Sequence, residues 1–229
     1  MTFSSKSIHP DAERIIEYQR ILLHWWQTNA RDYPWRRDRT PYRTAVAELM
    51  LRRTRADQVV PVFTRFLRSF STLKAAAHAE PEELLELLRP LGLAWRAQSM
   101  LSFFRAAYER HGNDLPHERS VLIALPGIGE YVSNAVACFS GEQSVPLIDV
   151  NIVRVLGRIF GIRTDGEARR RSDMKQLASQ CVPDAGPAEY HYAVLDFAAK
   201  VCVARKPRCT TCPFSSGMRC EYYRRLVQE

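Results

Sequence analysis

Four cysteines close together near the end of the chain have the spacing of a metal-binding set. Cys202, Cys209, Cys212 and Cys220 follow the pattern Cys-x6-Cys-x2-Cys-x7-Cys and make up four of the six cysteines in the sequence. Four thiolates are enough to close a tetrahedral zinc site or to hold an iron–sulfur cubane. The spacing separates these alternatives only in part, because zinc ribbons usually present two Cys-x2-Cys pairs and this sequence has one.

A short run with two glycines has the composition of a phosphate-binding turn. Leu125-Pro126-Gly127-Ile128-Gly129 lies between an apolar helix predicted to end near Leu125 and an amphipathic helix predicted to begin near Glu130. Glycine permits positive φ and close backbone approach to another molecule. The N–H groups of a following helix can then bind an anion. Taken alone, the run also fits an ordinary turn between two helices.

Two acidic residues stand in positions where a carboxyl group could take part in a reaction. Asp149 directly precedes a predicted helix from Val150 to Phe160, and a fixed carboxylate there could stabilise developing positive charge. The same residue could simply cap that helix, and both roles can coexist. Glu48 lies in an otherwise apolar helix, where a carboxylate is costly unless it is exposed, paired or protonated. An exposed helix glutamate is the alternative for Glu48.

These motifs together resemble the helix-hairpin-helix superfamily of DNA glycosylases with a C-terminal iron–sulfur cluster. Ile148-Asp149 follows the second glycine of the hairpin, Gly129, by nineteen residues. The stretches Arg31-Asp32-Tyr33-Pro34-Trp35-Arg36 and Glu48-Leu49-Met50-Leu51-Arg52-Arg53-Thr54 resemble the adenine and mismatch-thymine branches. The resemblance extends along nearly the whole chain. It is closest to the thymine-DNA glycosylases acting at G·T mismatches, and next to the adenine-DNA glycosylases.

The resemblance implies roles for several residues. Asp149 would be the catalytic aspartate, which stabilises the oxocarbenium-like sugar as the N-glycosidic bond breaks. Glu48 would protonate the departing base or orient water. Leu125, Gly127, Ile128 and Gly129 would grip the DNA backbone. Arg52 and Leu93 would enter the duplex from two sides and fill the gap left by the extruded base. Without the family argument, Leu93 could equally be a core leucine and Arg52 a solvated arginine.

Tyr131 occupies a position that separates the branches of this superfamily. By the resemblance, the bifunctional endonuclease III branch has a lysine there, whose amine forms a Schiff base and leads to strand cleavage. Adenine glycosylases have a serine, and thymine-specific mismatch enzymes have a tyrosine. The resemblance therefore favours the thymine branch and an enzyme without efficient AP-lyase activity. Tyr131 could also be a tyrosine packed at a helix start with its hydroxyl in water.

The resemblance also favours one occupant of the cysteine set. Glycosylases with a [4Fe-4S] cluster carry Cys-x6-Cys-x2-Cys-x5-Cys in this place, and the last interval here is two residues longer. Residues 213–219 must therefore bulge. We expect a [4Fe-4S] cluster with a structural role, positioning the basic loop at residues 205–208 against DNA, with zinc as the alternative occupant.

The elements that position these residues are predicted to be helices. Apolar residues recur at helical spacing along most of the chain, as at Val59, Val62, Phe63 and Phe66. Thr40-Pro41 has the composition of a helix start. We expect an all-α fold of two helical lobes with a DNA-binding cleft, the helix-hairpin-helix motif and the cluster loop. One lobe would contain residues 1–30 and 140–229, and the other residues 31–139. Cys138 and Cys181 match no ligand spacing and are predicted to be core thiols.

Composition limits the class of protein. The 229 residues are 46% hydrophobic and 25% charged, which is typical of a globular chain with a full core. The net charge of +8 suggests a polyanionic partner. No membrane span or secretion signal is visible, so we expect an intracellular, cytoplasmic protein without disulfides. Double-stranded DNA with a mismatched or damaged base is the expected partner, with no membrane, and we expect a monomer.

The functional hypothesis is a monofunctional DNA glycosylase that excises thymine and uracil from mismatches with guanine. Such mismatches arise when 5-methylcytosine or cytosine loses its amino group, and their repair is base excision repair. One alternative is an adenine-DNA glycosylase acting opposite 8-oxoguanine or guanine. Those enzymes generally add a C-terminal domain, whereas this sequence ends nine residues after Cys220. A second alternative is a non-catalytic DNA-binding protein.

Overall fold

Helices make up the secondary structure of this protein. The computed structural model describes residues 10–92 and 95–228, and within them no residue lies in a β-strand. The predicted all-α class is therefore confirmed. None of the helices in these ranges is long and apolar enough to cross a membrane.

In the described ranges, four 3-10 turns lie among the α-helices. In chain order they are α1 Ala12–Asn29, α2 Pro34–Arg37, α3 Pro41–Leu51, α4 Ala56–Ser69, α5 Leu73–Ala77, α6 Pro81–Leu88, α7 Trp95–His111, α8 Arg119–Leu122, α9 Glu130–Gly141, α10 Val150–Phe160, α11 Ser172–Gln180, α12 Pro187–Lys200 and α13 Glu221–Leu226.

The chain divides into two units. The cysteine unit consists of Met1–Arg31 and Ser144–Glu229, and the hairpin unit consists of Asp32–Gln143. The units divide after Arg31 and after Gln143, whereas the approximate boundaries expected from the sequence lie after residues 30 and 139. The boundary after residue 139 falls inside α9, which continues to Gly141. The helix stops there because Glu142 adopts a left-handed conformation with φ of 51°, and Gln143 donates its N–H back to the carbonyl of Ala137.

Local signals in the sequence set several helix bounds. Thr40 caps α3 by accepting the N–H of Arg43, and Pro41 occupies the first helical position, where its missing N–H costs nothing. Helix α10 begins after Asp149 and ends at Gly161, whose φ of 78° suits a glycine C-cap. The predicted starts of α3 and α10 are therefore confirmed.

The core of the hairpin unit forms around α3. This helix is buried from Thr44 to Met50 and packs mainly against α9. Helix α4 turns its predicted apolar face, including Phe63, into the same core. Trp35 lies edge-on to Phe63 with ring centroids 5.4 Å apart, and it stacks on Tyr33 at 4.8 Å. The aromatic motif near the N-terminus thus contributes packing to this unit.

A buried carboxylate organises part of the cysteine unit, in which α1 packs on α12. Asp196 on α12 is fully buried and accepts the indole N–H of Trp26 at 2.9 Å. It also accepts the backbone N–H of Arg31 at 2.9 Å and the Nε–H of its guanidinium at 2.5 Å. A buried charge is tolerated when it is paired and hydrogen-bonded in this way. Through these contacts, Arg31 anchors the chain that follows α1 to α12.

Two further predictions from the sequence are confirmed. Cys138 in the hairpin unit and Cys181 in the cysteine unit are fully buried, as expected of core thiols. Residues 145–148 form no helix and connect α9 to α10, as the sequence indicates.

Candidate functional site

The glycine run forms a hairpin between α8 and α9. Helix α8 ends at Leu122, three residues before the predicted end, because Leu125 donates its N–H to Leu122 in a turn. Leu125 and Ile128 are buried and anchor the hairpin in the core of the hairpin unit. With these side chains directed inward, the backbone is left at the surface for a ligand.

The two glycines of the hairpin serve different purposes. Gly127 has φ of +77°, and a Cβ added there would lie 2.8 Å from Oγ of Ser99. This position requires glycine for the fold itself. Gly129 has an ordinary φ of −101°, and a Cβ there would meet no atom within 4 Å. Gly129 is the N-cap of α9 and has no side chain with which to cap the first-turn N–H groups.

Arg52 lies next to the hairpin, as the resemblance implied for a DNA-contacting residue. Its guanidinium Nη1 is 3.5 Å from the carbonyl oxygen of Gly127, which is a long hydrogen bond. Its guanidinium carbon is 5.8 Å from the centroid of the Trp95 ring. The side chain is exposed, so it remains available to a ligand. Leu93, the other residue predicted to enter DNA, lies outside the described residues.

Arg96 holds the segment that carries Arg52, and sequence reasoning missed it. Its side chain is buried and donates Nη1 to the carbonyl of Met50 at 2.9 Å. It also donates Nη2 to the carbonyl of Arg52 at 2.5 Å and Nη1 to Oγ1 of Thr54 at 3.0 Å. The last carbonyls of a helix have no partner within the helix, so Arg96 completes the end of α3. The available signal was an arginine between apolar residues in the first turn of α7.

Glu48 and Tyr131 both belong to the hairpin unit. Glu48 is buried on α3, with 7% of its surface exposed, so the exposed alternative is wrong. Glutamate side chains are rarely buried to this extent unless they are paired, so Glu48 is not an ordinary surface residue of α3. Tyr131 lies in the first turn of α9, is half-buried and packs against the core of the unit.

Asp149 caps α10 in the cysteine unit. Its Oδ1 accepts the backbone N–H groups of Asn151 and Ile152, both at 2.8 Å. Its Oδ2 accepts the side-chain amide of Asn151 at 2.7 Å. The capping role is confirmed. Because three hydrogen bonds fix the plane of the carboxylate, the group is also held in one orientation, as a reacting group must be.

A hydrogen-bond chain runs from Asp149 to the cysteine loop. Arg154 donates Nη2 to the side-chain oxygen of Asn151 at 3.1 Å. The same guanidinium binds the carbonyl of Ala198 at 3.1 Å and the carbonyl of Cys202 at 2.9 Å. Asn151 is therefore oriented by Arg154 and in turn orients Asp149. These contacts could not be predicted from the sequence, because Arg154 and its partners Ala198 and Cys202 lie more than forty residues apart.

The four cysteines of the predicted metal set line one small cavity. Cys202 and Cys220 are buried, and Cys209 and Cys212 are half-buried. Burial is the main cause that raises the pKa of the Cys212 thiol to about 12, and the negative charge of the other three cysteines contributes to the same rise. The four sulfur atoms therefore interact electrostatically within one space.

Arg158 places a positive charge and hydrogen-bond donors beside this cavity. Its Nη1 donates to Sγ of Cys202 at 3.5 Å and to the carbonyl of Val203 at 2.7 Å. Its backbone carbonyl accepts the thiol of Cys220 at 3.3 Å. Arg158 therefore contacts two of the four cysteines, Cys202 through its side chain and Cys220 through its backbone.

The dimensions of the cysteine set bear on what it could hold. Within residues 10–92 and 95–228, no three His, Cys, Asp or Glu side chains are spaced to surround a single metal ion. A tetrahedral zinc site with Zn–S bonds of about 2.3 Å brings its sulfur atoms within about 3.8 Å of one another. Four cysteine sulfurs are also the ligand set of an iron–sulfur cluster, which occupies more space than one zinc ion.

The longer last interval of the cysteine set is taken up locally. Residues 216–218 form a 3-10 turn in which Gly217 and Met218 have φ of 68° and 56°. Arg219 fastens this bulge to α1 by donating Nε to Glu17 at 2.5 Å. Arg224 donates to the carbonyl of Met218 at 2.9 Å. The two extra residues therefore bulge outward and leave Cys212 and Cys220 at the same cavity.

Comparison with known proteins identifies the family. Residues 46–180 match the HhH-GPD superfamily base excision DNA repair protein family. The chain belongs to the HhH-GPD superfamily. The match begins within α3 and ends with α11, so it includes the hairpin and the Asp149 cap. The family expected from the motifs is confirmed.

Individual HhH-GPD relatives are similar over most of their length. The thymine-DNA glycosylase of Aeropyrum pernix is 38% identical over 93% of this chain and 97% of its own. The adenine DNA glycosylase of Mycolicibacterium smegmatis is 34% identical over 85% of this chain and 66% of its own. A solved structure of a thermostable thymine-DNA glycosylase has a TM-score of 0.87 at 29% identity, covering 94% of this chain and 100% of its own.

The hairpin of this HhH-GPD protein can be tested with its own two glycines. Gly129→Ala should leave the melting temperature unchanged, because its backbone is ordinary and its surroundings are open. It should weaken binding of duplex DNA by roughly tenfold, because the added methyl group obstructs close approach of a phosphate. Binding is measured by fluorescence anisotropy with a duplex that contains a tetrahydrofuran abasic analogue.

Gly127→Ala is the matched control. It should lower the melting temperature, because a positive φ costs a residue with a Cβ about 1 kcal/mol and Ser99 must also move. Full DNA affinity in Gly129→Ala would contradict a backbone contact at this glycine.

Proposed function

We propose that this protein is a monofunctional DNA glycosylase that removes thymine and uracil from mismatches with guanine, acting on DNA inside the cell. The observation that carries the proposal is Tyr131 in the first turn of α9, within a chain whose Asp149 carboxylate is fixed at the start of α10. The sequence similarity to thymine-DNA glycosylases over nearly the whole chain supports thymine as the base that this protein removes.

Asp149 would act on the sugar of the target nucleotide. Its carboxylate has about four lone-pair positions, and three of them take the N–H groups of Asn151 and Ile152. The remaining acceptor capacity can face deoxyribose. When the N-glycosidic bond breaks, its electron pair leaves with the base and positive charge develops at C1′, which a fixed anion stabilises. Asn151 and Arg154 are positioning residues in this scheme.

Glu48 would serve the departing base and the attacking water. A buried carboxyl group can donate a proton to the base as the bond breaks, or it can orient water toward C1′. Water then adds its oxygen to C1′ and gives up a proton, which leaves a free base and an abasic site. Exclusion of bulk water at Glu48 strengthens these interactions.

Tyr131 would explain why the enzyme excises the base without cleaving the strand. A phenol has no amine with which to form a Schiff base at C1′, so the abasic strand stays intact and is left for another enzyme. The half-buried ring would instead contribute surface for the extruded nucleotide.

The hairpin and Arg52 would hold the distorted duplex. Residues Leu125, Gly127, Ile128 and Gly129 form the turn whose backbone would bind phosphates, which positions the enzyme without reading the sequence. Arg52, beside Gly127, would enter the duplex, and Leu93 would fill the gap left by the extruded base. The protein would act as a monomer on double-stranded DNA.

We further propose that Cys202, Cys209, Cys212 and Cys220 hold a [4Fe-4S] cluster. The shared cavity and the guanidinium of Arg158 beside it support a thiolate-bound group, and the resemblance of the cysteine spacing to that of cluster-containing glycosylases favours the cluster over zinc. When bound, the cluster would supply a cross-link that ties the loop between α12 and α13 together. The basic residues 205–208 would thereby be presented to DNA.

Metal analysis distinguishes the two occupants. Protein purified without oxygen should contain about four iron atoms and four acid-labile sulfides per chain. One zinc per chain without sulfide would contradict the cluster. Cys209→Ser should lower the iron content, and Asp165→Asn, at an exposed site in the same unit, should leave it unchanged.

A second candidate function is removal of adenine opposite 8-oxoguanine. The 34% identity to an adenine DNA glycosylase favours it, and Asp149 and Glu48 would serve that reaction equally well. A non-catalytic DNA-binding protein is a further alternative, which would bind these duplexes without changing them.

Single-turnover excision separates these candidates. Duplexes that differ only in the pair G·T, G·U or 8-oxoguanine·A are incubated with excess enzyme, and half of each sample is then treated with alkali. We expect strand breaks at G·T and G·U only after alkali, because no lyase step follows excision. Breaks only at adenine would move the protein to the second candidate, and breaks without alkali would contradict the assignment of Tyr131.

A further inference from the structure

Glu130 places a negative charge directly after the hairpin. It is the acidic residue in the first turn of α9, and it follows Gly129, the N-cap of that helix. Its side chain is 63% exposed. The N-terminus of a helix carries partial positive charge, which attracts a carboxylate and a phosphate alike. Glu130 therefore lies where its charge opposes the phosphate that the hairpin is proposed to bind.

Arginines from other helices contact the same hairpin. Arg110, near the end of α7, donates Nη1 to the carbonyl of Ala124 at 3.2 Å, and Nη1 of Arg52 lies 3.5 Å from the carbonyl oxygen of Gly127. Both side chains are exposed. Cationic groups beside a phosphate-binding turn strengthen DNA binding. A carboxylate at the same turn acts in the opposite direction, because it repels the phosphate.

Arg119 pairs with Glu130 but leaves most of its charge uncompensated. The guanidinium is held by Asn134, one turn after Glu130 in α9, whose side-chain oxygen accepts the Nε–H at 2.6 Å. Nη2 donates to Oε1 of Glu130 at 3.4 Å, which is a long contact between two partly exposed side chains. Ion pairs of this kind contribute little in water. The Glu130 carboxylate is therefore positioned by Arg119 without being neutralised.

We propose that Glu130 weakens the binding of the hairpin to DNA and thereby sets how quickly the protein leaves its abasic product. The inference rests on the part of the proposed function in which the hairpin binds a phosphate. The carboxylate repels that phosphate, and Arg119 limits the repulsion. Release of product can limit the turnover of an enzyme, so a weaker hold on the backbone favours turnover. Glu130 takes no part in breaking the N-glycosidic bond.

Removing the charge at nearly constant shape tests the proposal. In about 0.1 M salt, Glu130→Gln should bind a duplex with a tetrahydrofuran abasic analogue opposite guanine roughly fourfold more tightly than wild type and dissociate more slowly. This gain should shrink as salt is raised, because salt screens exposed charges. Glu130→Asp keeps the charge and should bind as wild type does. Steady-state turnover of Glu130→Gln should fall, whereas its single-turnover rate of thymine removal should not change.

Glu142→Gln is the matched control, because it removes the same charge at the other end of α9. Glu142 lies about 18 Å along the helix from Glu130, farther than the screening length of about 10 Å in 0.1 M salt. Its affinity for the duplex should therefore be nearly that of wild type. Equal tightening in Glu130→Gln and Glu142→Gln would show an effect of net charge alone and would overturn the proposal. Unchanged affinity of Glu130→Gln would overturn it as well.

A double-mutant cycle tests the part assigned to Arg119. Arg119→Gln should weaken DNA binding more in the wild-type background than in the Glu130→Gln background, because the carboxylate repels phosphate more strongly once its partner is gone. Melting temperatures of all variants are compared, so that a loss of folding is recognised. Equal losses of affinity in the two backgrounds would contradict a screening role for Arg119.

The binding measurements do not depend on excision. If the wild-type protein failed to remove thymine while Glu130→Gln bound the duplex more tightly, the proposed function would fail and the role of Glu130 would stand. If thymine were removed and the charge of Glu130 changed neither affinity nor dissociation, only the role of Glu130 would fail.

Discussion

Helix α10 can begin at Val150 only if an acceptor satisfies the N–H groups of its first turn, and Asp149 supplies that acceptor. The same bonds fix the carboxylate that the proposed reaction needs. Arg154, one turn along the helix, binds Asn151 and the carbonyl of Cys202. One helix thereby carries the candidate catalytic group at its start and holds the cysteine loop along its side. Distortion of that loop would reach Asp149 through three hydrogen bonds, by way of Arg154 and Asn151.

Much of this arrangement could be predicted from the sequence, because its signals are local. Thr40-Pro41 and Asp149 have the composition of helix starts, and α3 and α10 begin after them. Helical periodicity placed Phe63 in a core. The hairpin, the acidic residues and the cysteine spacing together indicated the superfamily that the comparison confirms. These features depend on neighbours within a few residues, so one sequence is enough to read them.

The remainder depends on contacts between distant parts of the chain. Periodicity could not tell whether Glu48 faced solvent, since every helical residue lies on some face, and only the packing of α3 shows its burial. Arg96 is a charged residue in an apolar helix until its acceptors at the end of α3 are seen. The role of Arg154 likewise becomes visible only when its contacts with Asn151 and with the distant Cys202 loop are seen. The hairpin unit extends four residues beyond the expected end at residue 139, because α9 runs on to Gly141.

The most direct test of the account replaces the Asp149 carboxylate by its neutral isostere. Asp149→Asn keeps an oxygen for the N–H groups of Asn151 and Ile152, so α10 keeps its cap and the melting temperature should change little. Affinity for tetrahydrofuran DNA opposite guanine should also persist. The single-turnover rate of thymine removal from G·T should fall by at least about 100-fold, because no anion faces the developing sugar cation. A rate near that of wild type would contradict the assignment of Asp149 as the catalytic residue.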